Sequence, residues 1–293
     1  MVMRTEWACI AQARQQPGGA RVPFLIDGEA VGSVAHANLS VLRAWPGVLC
    51  VEDGAVDLLA PAGERSAVLA DINRQLRAQG RILAWRDEAY PLRVDDGPLL
   101  AVIERASARF WGTLTFGAHC TGYLADESGR PTHLWIARRA LDKATDPGRL
   151  DNLVGGGVPL GQSPREALQR EAWEEAGLRL DELADLQPGR TLSLDCDVAE
   201  GRQREWLYAY DLKLPPGRVP QNQDGEVAEH RLMPVAEALA HAAGGDMTLD
   251  AALVTLDFAL RHGLLPADTA AALEARCAAL WVRPALAARL DPR

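Results

Sequence analysis

The chain has 293 residues, 48% of them hydrophobic, with 31 basic against 40 acidic side chains and a net charge of −9. That length suits two domains, the apolar content argues against a disordered chain, and an acidic chain without basic tracts argues against nucleic acid held through its phosphates. Cys9, Cys50, Cys120, Cys196 and Cys277 form no C-x-x-C pair, no apolar run reaches the roughly 18 residues of a membrane-spanning helix, and the first residues lack a secretory apolar core; a reduced, cytoplasmic protein with no membrane partner is expected.

In chain order, a short helix is expected over 5–16 and a hairpin over 24–31, turning at Asp27-Gly28. A helix follows at 38–45, stopped by Pro46-Gly47, then two short strands at 48–51 and 56–59. Apolar residues Val68, Leu69, Ile72 and Leu76 predict a helix over 65–79. Strands are expected at 82–85 and 90–94, a linker at 95–98 and a helix at 99–110. Beyond 113 the pattern changes: strands at 114–116, 121–124 and 134–137, a polar loop at 142–152, and a glycine run before a strongly signalled helix. A strand at 206–212, a polar segment leading into a short strand near 233, helices at 236–243 and 249–262, and an Ala-rich helical tail over 267–290 complete the pattern. The domains expected are 1–112, 113–265 and a C-terminal helical appendage over 266–293.

Chemistry concentrates between Gly155 and Leu178. Ser163 is a good N-cap, Pro164 suits the first helical position, Glu166 completes a capping box and Gly177 is a good stop, so a helix should run from 164 to 176. On it Glu171, Glu174 and Glu175 stand at i, i+3 and i+4 on one face, in the last two turns. Like charges at that spacing repel and the helix dipole disfavours anions there. A divalent cation removes both penalties, because carboxylate oxygens are preferred ligands of Mg²⁺. The plain alternative is a solvated acidic face behind a glycine-rich loop.

This segment resembles the Nudix box, G-x5-E-x7-R-E-U-x-E-E-x-G-U with U a bulky apolar residue. Gly156, Arg170, Glu171, Glu174, Glu175, Gly177 and Leu178 fall in place, while Gln162 stands at the first box Glu and the small Ala172 at the first U. Glu166, one turn into the helix, is a candidate to compensate for Gln162. Segments 104–106, 110–112, 117–119, 122–123, 134–139, 143–152 and 223–227 extend the likeness to a Nudix subfamily. That subfamily carries an N-terminal domain of uncharacterised role and also occurs fused ahead of fungal thiamine pyrophosphokinase.

The resemblance implies an α+β protein: a Nudix α/β/α sandwich, a mixed sheet between helices, preceded by a smaller α+β N-terminal domain. It implies a diphosphate hydrolase acting on thiamine diphosphate-like compounds, oxidised or damaged forms preferred, giving the monophosphate and phosphate. Glu171, Glu174 and Glu175 would hold Mg²⁺, or Mn²⁺ in its place, and Arg170 would pair with a box carboxylate and fix its rotamer. Glu226, with Glu229 as second choice, would add a carboxylate from outside the box; an ordinary loop acid is the alternative. Arg138, Arg139 and Lys143 are candidate phosphate ligands or a solvated basic cluster, His119 lines the pocket or is structural, and Gly156 and Gly157 let backbone approach the substrate. Trp111, Trp135 and Trp206 stack on a ring or fill the core. A small-molecule diphosphate is the expected partner, and a homodimer is compatible with the sequence. ADP-ribose or a dinucleotide is the alternative substrate. A ligand sensor and a diphosphate isomerase, for which Cys120 is the nearest cysteine, are the alternative classes.

Overall fold

A computed structural model describes residues 6–16, 19–94 and 97–283. Asp95 and Asp96 of the expected linker, and the tail beyond 283, lie outside the described residues. The chain opens with α1 (Ala8–Gln12), shorter than expected, then the hairpin of β1 (Arg21–Ile26) and β2 (Glu29–Ala35). Asp27 and Gly28 turn it with φ of 55° and 78°, a geometry Asp and Gly tolerate best. A short α2 (Leu39–Leu42) leads to β3 (Leu49–Val51) and β4 (Val56–Leu58), and the four strands run β2-β1-β4-β3 with β1 and β4 parallel. The helix expected at 65–79 is α3 (Arg65–Ala78), whose Leu69, Ile72 and Leu76 are buried.

Two expectations here are overturned. Residues 82–85 form no strand, since Ala84 takes the left-handed conformation at φ 54° and breaks extension. Residues 99–110 are not one helix. They form β6 (Leu99–Glu104), paired antiparallel with β5 (Ala89–Arg93), then a 3₁₀ turn capped by Glu104, then α4 (Ala108–Trp111). The apolar run there fits either period, and β5 decides it by offering Tyr90 opposite Ile103. Trp111 is fully buried, 4.5 Å from the Phe24 ring, and donates to Asn73 Oδ1 at 2.8 Å.

Gly112, left-handed at φ 59°, ends α4 and hands the chain to β7 (Leu114–Ala125), a single strand where two were expected. There follow β8 (Pro131–Arg139), β9 (Leu150–Asp151), β10 (Val154–Gly157), α5 (Pro164–Ala176), β11 (Gln187–Val198), β12 (Gly201–Lys213), β13 (Val227–Pro234), α6 (Val235–Gly244), α7 (Leu249–Arg261) and α8 (Ala267–Cys277). The expected elements include no counterpart of β11. The sheet runs β11-β12-β7-β8-β13, with β7 and β12 parallel and their other neighbours antiparallel. One edge of β7 is shared: β10 pairs with Gly117–Cys120 and β8 with Gly122–Ala125, so these two strands diverge from it.

Alternation along the strands gives each face its own core. Trp206, Leu212 and Leu214 join Phe116, Ala118, Cys120 and Trp135 against α5, while Leu207 and Ala209 join Leu134 and Ile136 against α6, α7, α8 and α1. Helices cover both faces of a mixed sheet, the α/β/α sandwich expected from the sequence, beside a smaller α+β unit. On the α7 face a buried ionic network ties sheet to helices. Arg261 donates to both oxygens of Asp211, at 2.6 and 2.8 Å, and to Asp257 at 2.7 Å. His262 Nε2 lies 2.8 Å from Asp211, and Arg190 holds Glu274 through two bonds and stands 3.7 Å from Asp257.

Candidate active site

The box helix forms as its local signals dictate. Ser163 Oγ accepts from Glu166 N at 3.2 Å, the Glu166 carboxylate accepts from Ser163 N at 2.8 Å, and Gly177 closes the helix at φ 60°. Glu166 is therefore committed to the cap and does not compensate for Gln162. Gln162 itself does not line the cleft, and its buried Oε1 has no partner among the described residues.

Glu171, Glu174 and Glu175 sit where α5 passes β10. Arg170 bridges the first two, at 2.9 Å from Glu171 and 2.8 Å from Glu174. Glu175 accepts the Gly155 N–H at 2.9 Å and is 6% exposed. Burial, reinforced by the Glu171 charge, pushes Glu175 up to about 8, and burial also raises Glu171 despite its arginine. The glycines before the helix are there for space: a Cβ at Gly156 would overlap the Glu171 carboxyl, and one at Gly157 would overlap the Tyr90 hydroxyl and crowd Arg105.

Glu171 and Glu174 line a cleft of about 170 Å³ with Arg86, Glu88, Arg105, Arg139, Lys143 and Glu226, and Glu175 lies behind them on the Gly155 amide. Glu226 arrives from the loop before β13, held by Lys143 and by Arg86 at 3.2 Å. Burial and the Arg139 charge lower the Lys143 ammonium. Arg139 points into the cleft and pairs with Asp151 at 3.0 Å. Its neighbour Arg138 must point the other way on a strand. Arg138 pairs with Glu229 at 2.9 Å and lines no part of the cleft, so neither Arg138 nor Glu229 stands where the sequence places it. His119 is buried against Asn152, 3.1 Å away, with its ring under Gly155. Trp111, Trp135 and Trp206 all lie in cores. Cys120 is buried under α5, and burial raises its thiol.

Arg86, Glu88, Tyr90 and Arg105 are the residues that sequence reasoning misses. They come from the N-terminal unit, and no local pattern announces a contact made across more than 50 residues with Gly157. Among the described residues no three His, Cys, Asp or Glu side chains converge on one point as a preformed metal site. The donors nonetheless fit a hard divalent cation: they are carboxylate oxygens, two are buried side by side, and the Glu171 charge raises the affinity of Glu175 for a proton.

Comparison with known proteins agrees with this geometry. Residues 117–251 match the NUDIX domain, and residues 5–115 match a domain of unknown function, DUF4743. Nudix hydrolase 20, chloroplastic, of Arabidopsis thaliana is 34% identical over 272 residues, covering 87% of this chain and 72% of the relative. Nudix hydrolase 24, chloroplastic, of the same plant is 36% identical over 256 residues, covering 84% and 69%. The crystal structure of DR0079 from Deinococcus radiodurans is similar over 58% of this chain and 99% of its own, at 22% identity and a TM-score of 0.46. With the box residues in place from Gly156 to Leu178 and relatives matched along most of their length, the chain belongs to the Nudix hydrolase family and is a hydrolase acting on diphosphate bonds.

Proposed function

We propose that this protein hydrolyses thiamine diphosphate-like compounds, oxidised or damaged forms preferred, to the monophosphate and phosphate. The observation that carries the reaction is the cleft in which Glu171 and Glu174 face Arg139, Lys143 and Arg86, with Glu175 behind them on the Gly155 amide. The substrate class rests on the likeness, running from Glu104 to Val227, to the Nudix region fused to fungal thiamine pyrophosphokinase.

The three box carboxylates would hold Mg²⁺ or Mn²⁺. When bound, such an ion neutralises the diphosphate charge and favours attack by water. The chain's own groups do the rest. Arg170 fixes the rotamers of Glu171 and Glu174, so their oxygens are in place before substrate arrives. Arg139 and Lys143 bind phosphate oxygens from the opposite wall. Glu226, steadied by Lys143 and Arg86, offers the carboxylate that takes the proton from the attacking water. The isomerase reading lacks its cysteine, because Cys120 is sealed in the α5 core. The sensor reading is disfavoured by three box carboxylates in place.

The test is phosphate release with Mg²⁺ from thiamine, oxothiamine and oxythiamine diphosphates, ADP-ribose, NADH and isopentenyl diphosphate. Thiamine-type monophosphate product, lost with chelator and in Glu174→Gln, is expected. Turnover of ADP-ribose alone removes the thiamine assignment, and no metal-dependent turnover of any compound overturns the hydrolase reading for this site.

A further inference from the structure

The cleft has a neighbour. A chamber of about 120 Å³ lies on the α7 side of β7 and β12 and shares Arg105, Arg139, Thr145, Gly155 and Gly156 with the cleft. Because Gly155 and Gly156 carry no side chains, the strand that divides the two spaces is only backbone thick. One wall of the chamber is N-terminal: Tyr90 of β5, Arg105 and Arg109. The other is built from Gln203 and Glu205 of β12 and Asp250 at the start of α7.

The charges on these walls are unevenly matched. Arg105 pairs with Glu88, Arg109 with Glu200 and Arg139 with Asp151. Glu205 and Asp250 make no ion pair among the described residues. They share the Gln203 amide, which donates to Glu205 at 2.8 Å and to Asp250 at 3.4 Å. Burial raises both carboxyls, Asp250 to about 6. A second, independent group awaits a partner. Thr113 is 2% exposed and lines the chamber; its methyl faces Gly32 and its hydroxyl has no hydrogen bond among the described residues. An orphaned buried hydroxyl beside two half-buried carboxylates that make no ion pair is costly unless a ligand satisfies them.

We propose that this chamber receives the non-phosphate part of the substrate, that the N-terminal domain supplies one of its walls, and that Glu205, Asp250 and Thr113 select a hydrogen-bond-donating ring. The proposal rests on the diphosphate-hydrolase reading of the adjoining cleft. The N-terminal domain thereby sets specificity, closing a space that the Nudix sheet alone leaves open. Arg109 links the two walls, its guanidinium lying 3.5 Å from Gln203 Oε1.

The experiment compares two diphosphates with the full chain and Mg²⁺: thiamine diphosphate, which carries a cationic amino-substituted ring system, and methyl diphosphate, which carries none. Glu205→Gln, Asp250→Asn, Arg109→Gln and the isosteric Thr113→Val are expected to lower kcat/KM for thiamine diphosphate by roughly 10-fold or more, through KM, and to change methyl diphosphate by less than about two-fold. Equal losses on both probes, or no loss on either, overturn the proposal. If a charge variant fails to fold, Thr113→Val decides by the same ratio. If wild type releases phosphate from neither probe, the hydrolase reading has failed separately. Calorimetric binding of thiamine then decides: a roughly 10-fold weakening in Thr113→Val supports the chamber and an unchanged affinity overturns it.

Discussion

Two groups of buried acids lie on opposite sides of one sheet, and they are treated differently. Asp211, under α7, is saturated by Arg261 and His262, while its neighbour Asp257 shares Arg261 and keeps one oxygen without a hydrogen bond among the described residues. Burial pushes the Asp211 carboxyl up, but the hydrogen bonds from Arg261 and His262 more than offset it, and it sits below the usual range. Glu171 and Glu175, beside α5, have between them one arginine and one backbone amide, and both are raised. A carboxylate compensated from within the chain is an internal tie. One left short of positive charge is held ready for something that arrives later.

That contrast can be broken in four ways. The largest effect is expected from Asp211→Asn, which removes the buried carboxylate that Arg261 and His262 share and should cost about 3 kcal/mol of stability in denaturant unfolding. The pH dependence has a definite sign. A carboxyl depressed on folding stabilises fully above its unfolded value near 3.8 and loses that contribution as pH falls through its lower folded value. Wild type should therefore lose stability in that acid range and Asp211→Asn should not share the loss; parallel acid-unfolding curves would remove Asp211 from the account.

Next comes Gly156→Ala, whose new methyl displaces the Glu171 carboxyl. A misplacement of about 1 Å should lower kcat by about 10²-fold while the melting temperature moves little. Retained activity would mean that Glu171 does not need its present position.

Glu175→Gln should act in the opposite sense on stability. A carboxyl raised to about 8 stabilises fully below its unfolded value near 4.5 and loses that contribution as pH rises through 8. The metal-free wild type should thus weaken across that range, and the Gln variant should be about 1–2 kcal/mol more stable at its upper end, yet inactive. A variant less stable than wild type at every pH would dissolve the contrast between the two acid groups. Smallest is Ser163→Ala, which removes the cap of α5 and should cost about 1 kcal/mol in thermal unfolding. No loss there would show that packing alone holds the box helix in place.

Legibility in the sequence follows the range of the interaction. The box helix is readable to the residue, because Ser163, Pro164, Glu166 and Gly177 act within one or two turns of themselves. The 24–31 hairpin is readable for the same reason, through Asp27-Gly28. Residues 99–104 look helical in isolation because their strand identity is conferred by β5, and β11 stays hidden because Pro188, Gly189 and polar residues disguise a strand specified by β12. At the candidate site, the helix wall and Glu226 are visible in the sequence. The facing wall is not: Arg86, Tyr90 and Arg105 reach Glu226 and Gly157 only through the packing of one unit on another. Arg138 is one strand position from usefulness, which is the whole difference between facing the cleft and facing away.

The placement of α1 has a consequence for synthesis. Trp7, Cys9, Ile10 and Ala13 pack with α6 and α7, and the carbonyls of Ala13 and Gln15 accept from Asp195 and Asp197 of β11. The N-terminal sheet and its helix are thus spliced between a first segment and the partners it must find. By the chain order, α6 and α7 leave the ribosome more than 200 residues later, a gap on the order of ten seconds or longer at roughly 5–20 residues per second. Through that gap the apolar side of α1 waits for its seat. The intervening unit can close its own core in that interval, and α6 and α7, emerging later, then fasten α1.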